Sequence, residues 1–253
     1  MKNLLRYEFH RLFRYIPYYV LLGLAFLFFM FIYSIFAITR LQLAMPAFNT
    51  FGTIGQAVIA FYLSQFIVVF VTEDYKGTRK NVISRGYSKT KVYFSNYIVT
   101  MTAAVGGCLA LVLLLYLYNG FIGYSFALTP DGLASFGWGT LGQFVYFQIV
   151  YFGAVLTTNR SSGICLGIIF PILIIAFFGF VQSVYVDTHY VNLGYPPEGF
   201  PQPFHFSPLF FFYGLEDSYA SVGVVATVRV LLTVFYTALP CGIGYLINRK
   251  RDM

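Results

Sequence analysis

The sequence predicts an all-α integral membrane protein with six transmembrane helices. Of its 253 residues, 58% are hydrophobic and only 10% are charged, whereas soluble domains carry roughly 25% charged residues. The apolar residues form six long runs, and the basic residues gather between alternate runs. Because six spans of about 20 residues use roughly half of such a chain, we expect a single transmembrane domain with short loops.

The six apolar runs define the predicted spans. The second run is barely long enough to cross a bilayer as a helix, and the other five are comfortably long. The runs cover about residues 16-38, 56-72, 93-118, 136-157, 163-184 and 220-247. Residues 1-15 are too charged for a secretory signal peptide.

The basic residues predict the orientation, because cytoplasmic loops of membrane proteins are enriched in Lys and Arg. With six spans, 14 of the 16 basic residues fall on one side. The exceptions are Arg40 and Arg229, the latter inside the sixth span. We therefore expect both termini in the cytoplasm, and the pI near 9.2 follows from topology without any nucleic-acid partner.

Residues 1-15 are predicted to form an amphipathic helix that lies on the membrane surface. One helical face carries apolar residues and another carries basic residues at every fourth position. Arg6, Phe9 and Phe13 are the predicted interfacial contacts, and Pro17 permits a turn into the first span. The alternative is an unstructured basic tail.

The segment 185-219 is predicted to lie on the outer side and is unusually rich in aromatic residues. It holds half of the ten prolines of the chain and six phenylalanines. Two interpretations stay open, namely a short interfacial or re-entrant segment tucked against the spans and a plain aromatic belt at the outer interface.

The common catalytic motifs are missing. The sequence contains no phosphate-binding loop of the G-x-x-x-x-G-K-[ST] type, no H-E-x-x-H and no G-x-S-x-G. Cys108, Cys165 and Cys241 lie within apolar runs, and we expect them to be packing residues. A metal shared by His189 and His205 on the outer side is disfavoured, so no metal site is predicted.

A few polar residues inside the spans are candidates for a transport pathway. Arg229 in the sixth span either faces a polar pathway or extends its side chain to the outer head groups. Gln143, Gln148 and Asn96 either line such a pathway or bond neighbouring helices. No carboxylate lies near the centre of a span, so a proton-coupled carrier is not indicated.

The segment between the second and third spans, residues 73-91, carries the strongest local pattern. Residues 73-84 suit a short helix with charged and apolar sides, Gly86 suits its C-terminal turn, and Ser88 can cap the third span. By composition alone, this segment is a basic anchor for anionic lipid head groups.

This segment resembles the cytoplasmic loop of type 2 ABC-transporter permeases, in which an acidic residue, a Gly-Thr pair, basic residues and a Ser-basic pair precede the third span. The matching residues are Glu73, Gly77, Thr78, Arg79, Lys80, Ser88 and Lys89. The layout is similar over the whole chain: an amphipathic N-terminal helix, six spans, a long last outer loop and a basic C-terminus.

The resemblance implies that the chain is the permease subunit of an ABC exporter in a bacterial plasma membrane and that it binds no cofactor itself. Two copies of a separate ATPase, which bind ATP and Mg²⁺, are expected to dock on the cytoplasmic face, together with a second, identical permease. The expected cargo is a hydrophobic or amphipathic peptide, a drug or a lipid-linked molecule. The residues expected to couple to the ATPase are Glu73, Asp74, Gly77, Thr78, Arg79, Lys80 and Ser84.

The sequence leaves two alternative functions. The first is an immunity or sensor protein that captures a peptide with the aromatic outer segment and transports nothing. The second, a membrane enzyme acting on lipids, is disfavoured because the sequence contains no clustered His, Asp or Ser constellation.

Overall fold

The structure, a computed structural model, is all-helical over the residues that it describes, which are 1–38, 46–122, 130–157, 159, 161–165, 169, 173 and 222–250. The all-α prediction is confirmed for this part of the chain. In chain order the helices are α1 (Lys2–Phe13), α2 (Ile16–Ile38), α3 (Pro46–Glu73), a π-helix (Asp74–Thr78), α4 (Arg79–Ser84), α5 (Lys89–Ile122), α6 (Pro130–Thr157) and α7 (Val222–Lys250).

Several helices are long and apolar enough to cross a membrane. Within the described ranges three helices contain such a stretch, namely Lys89–Leu111, Thr140–Thr157 and Val230–Lys250. A fourth is obtained if α1 and the first part of α2, which meet at an angle of 54°, are counted as one broken span. These dimensions are compatible with a membrane protein.

The largest differences between the helix bounds and the predicted spans lie at the start of α3 and in the segment that follows it. α2 covers the same residues as the first predicted span, but α3 begins at Pro46, ten residues before the second one. The segment 73-84, predicted as a separate short helix, instead continues α3, since Glu73 and Thr78 at its junctions both have helical dihedral angles. The outer segment 185-219 and nearly all of the fifth predicted span lie outside the described residues.

α3 is the central helix of the bundle. Every residue from Phe66 to Thr72 is buried, and because successive residues of a helix point roughly 100° apart, this run covers all sides of α3. A helix that is apolar all round is buried on all sides, and α3 accordingly packs against α2, α5 and α6. Movement of α3 is therefore transmitted directly to three other helices.

α7 packs at the edge of the described bundle, with Leu231, Val234 and Leu246 more than half exposed. One close contact fixes its position against α5, at Gly244. A Cβ atom on Gly244 would lie 2.7 Å from the hydroxyl oxygen of Tyr93, and that hydroxyl donates a hydrogen bond to the Cys241 carbonyl at 3.2 Å. Small residues allow helices to approach this closely.

The turn between α4 and α5 follows the local sequence signals. Gly86 has φ +91°, a left-handed conformation that glycine adopts without steric cost. The Lys91 backbone N–H donates to the Ser88 side-chain oxygen at 3.4 Å, at the first turn of α5. Both local predictions, the glycine turn and the serine cap, are confirmed.

Candidate functional site

Among the described residues, most of the exposed charge lies at one end of the bundle, which we call the basic end. It is formed by α1, α4, the start of α5 and the end of α7. Leu4 of α1 and Val82 of α4 pack against Val92 of α5, and Tyr245 of α7 contacts Thr90 and Phe94 of α5. Its exposed basic residues are Lys2, Arg6, Arg14, Lys80, Arg85, Lys91, Arg249 and Lys250.

The π-helix turns two charged residues of the basic end inward. Its characteristic bond runs from the Arg79 backbone N–H to the Asp74 carbonyl, five residues back. In an α-helix, residues five apart point roughly 140° away from each other, whereas the wider π-turn brings them towards the same side. Asp74 and Arg79 are accordingly both only 2% exposed, while Gly77 between them is exposed.

Arg11 of α1 contacts the π-helix through Asp74. Its guanidinium forms an ion pair with the Asp74 carboxylate, and the same Nη1 lies 3.3 Å from Oε2 of Glu8. The guanidinium carbon also lies 4.1 Å from the centre of the Phe70 ring, in a cation–π contact. We call Glu8, Arg11, Asp74 and Arg79 the buried charged cluster.

The cluster is connected to the interior of the bundle by side-chain hydrogen bonds. The Asn96 side-chain amide of α5 donates to Oδ2 of Asp74 at 3.3 Å. The Tyr151 hydroxyl of α6 donates to Oδ1 of Asn96 at 3.0 Å. A continuous chain of polar contacts therefore joins α1, the π-helix, α5 and α6.

Glu8 has an unusual environment for a carboxyl group, since its residue is only 1% exposed. Burial raises its pKa to about 7, and the negative charge of Asp74 acts in the same direction. The positive charges of Arg11 and Arg79 oppose this increase. The charge of the cluster therefore changes near neutral pH.

The residues predicted to couple to an ATPase fall into three groups by exposure. Asp74 and Arg79 face inward, as described above, while Glu73 and Thr78 are half-buried. Gly77, Lys80 and Ser84 are exposed. Within this short helical stretch, Asp74 and Arg79 of the buried charged cluster therefore lie on the side opposite the exposed residues.

The N-terminal helix packs one side against the bundle, and its other side is exposed. Arg6 and Phe13 are exposed, and Phe9 packs partly against the core. The fully buried side chains are Leu4, Glu8 and Leu12. Glu8 and Arg11 were missed as site residues, although the sole acidic residue of this helix, three positions before an arginine, is a recognisable helical ion-pair pattern.

The polar residues predicted as pathway candidates are buried between helices. Gln143 accepts a hydrogen bond from the Cys108 thiol at 2.7 Å, and Gln148 accepts one from the Tyr97 hydroxyl at 2.7 Å. Together with Asn96, they join α5 to α6, which corresponds to the helix-bonding alternative. The side chain of Arg229 lies outside the described residues, as do His189 and His205.

Comparison with family models and with curated proteins gives no relative. No family model matches the chain, and no curated protein is significantly similar to it. Functional inference therefore depends on the sequence pattern and on the geometry of the basic end.

Proposed function

We propose that the protein is the permease subunit of an ABC exporter and that a separate ATPase docks on the basic end. In this proposal the chain crosses the plasma membrane six times with both termini in the cytoplasm. Two copies form the path for a hydrophobic or amphipathic peptide, drug or lipid-linked cargo. Two ATPase subunits supply the energy from ATP and Mg²⁺.

The observation that carries this proposal is that the coupling segment, residues 73-84, connects an exposed surface of the protein to the helices of the bundle. Its exposed side, with Gly77, Lys80 and Ser84, is available to a partner. Its opposite side is joined to α1 by Arg11 and to α5 by Asn96. Because the segment also continues α3 without a break, force applied to its exposed side moves the central helix of the bundle.

The π-helix supports the same proposal. A π-turn within an α-helix is less stable than regular helix and is frequently retained at functional sites. Here it sets the rotation between α3 and α4, so it determines which residues face the partner and which face the bundle.

The test is to co-express the protein with candidate ABC ATPases of its own organism, purify any complex that forms, reconstitute it in liposomes, and compare Gly77→Pro with Gly77→Ala. Proline removes a backbone N–H and clashes with the preceding turn, whereas the Cβ of alanine meets no atom within 4 Å. We expect Gly77→Pro to lose cargo-stimulated ATPase activity and transport while still inserting into the membrane. Gly77→Ala should retain both.

The outcomes distinguish the proposal from its alternatives. If Gly77→Pro instead fails to insert, the segment is a membrane anchor. If no ATPase binds the wild-type protein and a peptide is nevertheless captured at the outer surface, the protein is an immunity or sensor protein. Either result would lead us to abandon the exporter proposal.

A further inference from the structure

A cleft of about 450 Å³ separates α1 from the coupling segment at the basic end. One wall belongs to the first two turns of α1, and the other to the π-helix, α4 and the turn after it. The lining residues are Asn3, Leu4, Tyr7, Gly77, Thr78, Asn81, Val82, Arg85 and Tyr87. This volume lies within the range of small-ligand sites.

The lining of the cleft is suited to an anion. It contains the Arg85 guanidinium and the side-chain amides of Asn3 and Asn81, all hydrogen-bond donors, and no carboxylate. The two acidic residues nearest in sequence to its walls, Glu8 and Asp74, are buried and face Arg11. Among the described residues, the exposed charges around the cleft are therefore basic.

The position of the cleft relative to the apolar helices indicates where the anion comes from. Its floor residues Leu4 and Val82 pack against Val92, which lies in the first turn of the candidate span Lys89–Leu111. The cleft therefore opens where an apolar helix enters the bilayer, which is the level of the lipid head groups. Tyrosines such as Tyr7 and Tyr87 are typical of this level.

We propose that the cleft binds the phosphate-bearing head group of an anionic phospholipid such as phosphatidylglycerol. Arg85 pairs with the phosphate, and the amides of Asn3 and Asn81 donate hydrogen bonds to its oxygens or to the glycerol hydroxyls. Leu4 and Val82, which are buried against Val92, form the apolar floor beneath the head group. The lipid then bridges α1 and α4, whether or not the protein is a transporter.

The test compares Arg85→Glu with Lys91→Glu, which makes the same charge change at an exposed residue outside the cleft. Each protein is reconstituted in nanodiscs of equal phosphatidylglycerol and phosphatidylcholine and then released for native mass spectrometry. We expect the wild type and Lys91→Glu to retain phosphatidylglycerol over phosphatidylcholine by about fivefold, and Arg85→Glu to lose this preference. Asn81→Leu, which removes a donor without a charge change, should reduce it as well.

Unchanged melting temperatures in detergent would show that each variant is folded. Equal loss of phosphatidylglycerol from Arg85→Glu and Lys91→Glu would mean that the lipid binds a diffuse basic surface, and the proposal would be wrong. It would also be wrong if Arg85→Glu kept its lipid but no longer bound the ATPase, because the cleft would then belong to the protein partner. The exporter proposal is unaffected by loss of the lipid alone.

Discussion

At the residue scale, Arg11 balances two carboxylates in a part of the protein that is nearly closed to water. Asp74 and Glu8 are 2% and 1% exposed, and Arg11 itself is 19% exposed. Replacing Arg11 with alanine leaves both acids buried without this partner. Because uncompensated buried charge is costly, we expect a loss of about 3 kcal/mol in the free energy of unfolding, measured by chemical denaturation in detergent.

Arg14→Ala is the matched control, because Arg14 lies on the exposed side just after α1. A surface substitution of this kind should change the unfolding free energy by about 0.5 kcal/mol or less. Combining Arg11→Met with Asp74→Asn should restore part of the lost stability, since the remaining charges of the cluster, those of Glu8 and Arg79, have opposite signs. Equal effects of Arg11→Ala and Arg14→Ala would contradict a stabilising role for the buried charged cluster.

Glu8 makes the stability of the protein depend on pH. Burial raises the pKa of Glu8 from 4.5 to about 7, so between these values the folded state binds more protons than the unfolded state. The contribution of Glu8 is therefore most favourable below pH 4.5 and is lost as the pH rises through 7. We expect the melting temperature of the wild type to fall between pH 5 and pH 8 relative to that of Glu8→Gln.

Glu8→Gln removes only this titration, so the difference between the two melting curves isolates the contribution of Glu8. The groups that act on Glu8 are Arg11, Asp74 and Arg79. At pH 8 the Gln variant should be the more stable protein. A difference that stays constant from pH 5 to pH 8 would show that Glu8 does not titrate in this range.

At the element scale, two glycines of the coupling segment and its turn should respond in opposite ways to alanine. Gly77 lies within the helical stretch with open space around it, and Gly86 has φ +91°. Alanine favours helix over glycine by about 1 kcal/mol, so Gly77→Ala should stabilise the protein. Gly86→Ala forces a left-handed backbone on a residue with a Cβ and should destabilise it by about 1 kcal/mol.

Thermal denaturation of the two variants beside the wild type measures this difference. Neither position has a side-chain contact within 4 Å that a Cβ would disturb, so the comparison isolates the backbone effect. Stabilisation of the protein by Gly86→Ala would mean that α4 and α5 are joined by a different turn.

At the scale of the whole molecule, the six-span topology predicts that residues 84 and 192 lie on opposite sides of the membrane. Single cysteines are introduced as Ser84→Cys and Asn192→Cys in a background lacking Cys108, Cys165 and Cys241. In intact cells, a membrane-impermeant maleimide should label residue 192 and not residue 84. Lysed cells should show labelling of both, and identical labelling of the two in intact cells would refute the topology.

The helices themselves follow closely from the sequence. Apolar runs of span length predicted helices over residues that α2, α5, α6 and α7 occupy, and glycine and serine marked the turn before α5. The start of α3 was missed because residues 46-55 include polar and small residues that lower the mean hydropathy. Hydropathy detects apolar composition and does not detect where the backbone remains helical.

The buried charged cluster was only partly predictable. Asp74 and Arg79 were noticed as members of a charged pattern, but in a regular helix they would point in different directions. The π-helix brings them together, and no rule based on composition or periodicity identified it. The partner of Asp74, Arg11, lies 63 positions away in the chain, beyond the reach of any local pattern.

The sequence by itself determined that this protein is helical, apolar enough for a membrane, and divided into basic and apolar stretches, because these properties depend on the kinds of residues and their spacing. Only the tertiary structure decided which charges are exposed and which are buried. That outcome depends on the rotation of α4 relative to α3 and on the packing of α1 across the start of α5. Both are set by long-range contacts, such as the ion pair between Arg11 of α1 and Asp74 of the π-helix, which lie 63 positions apart.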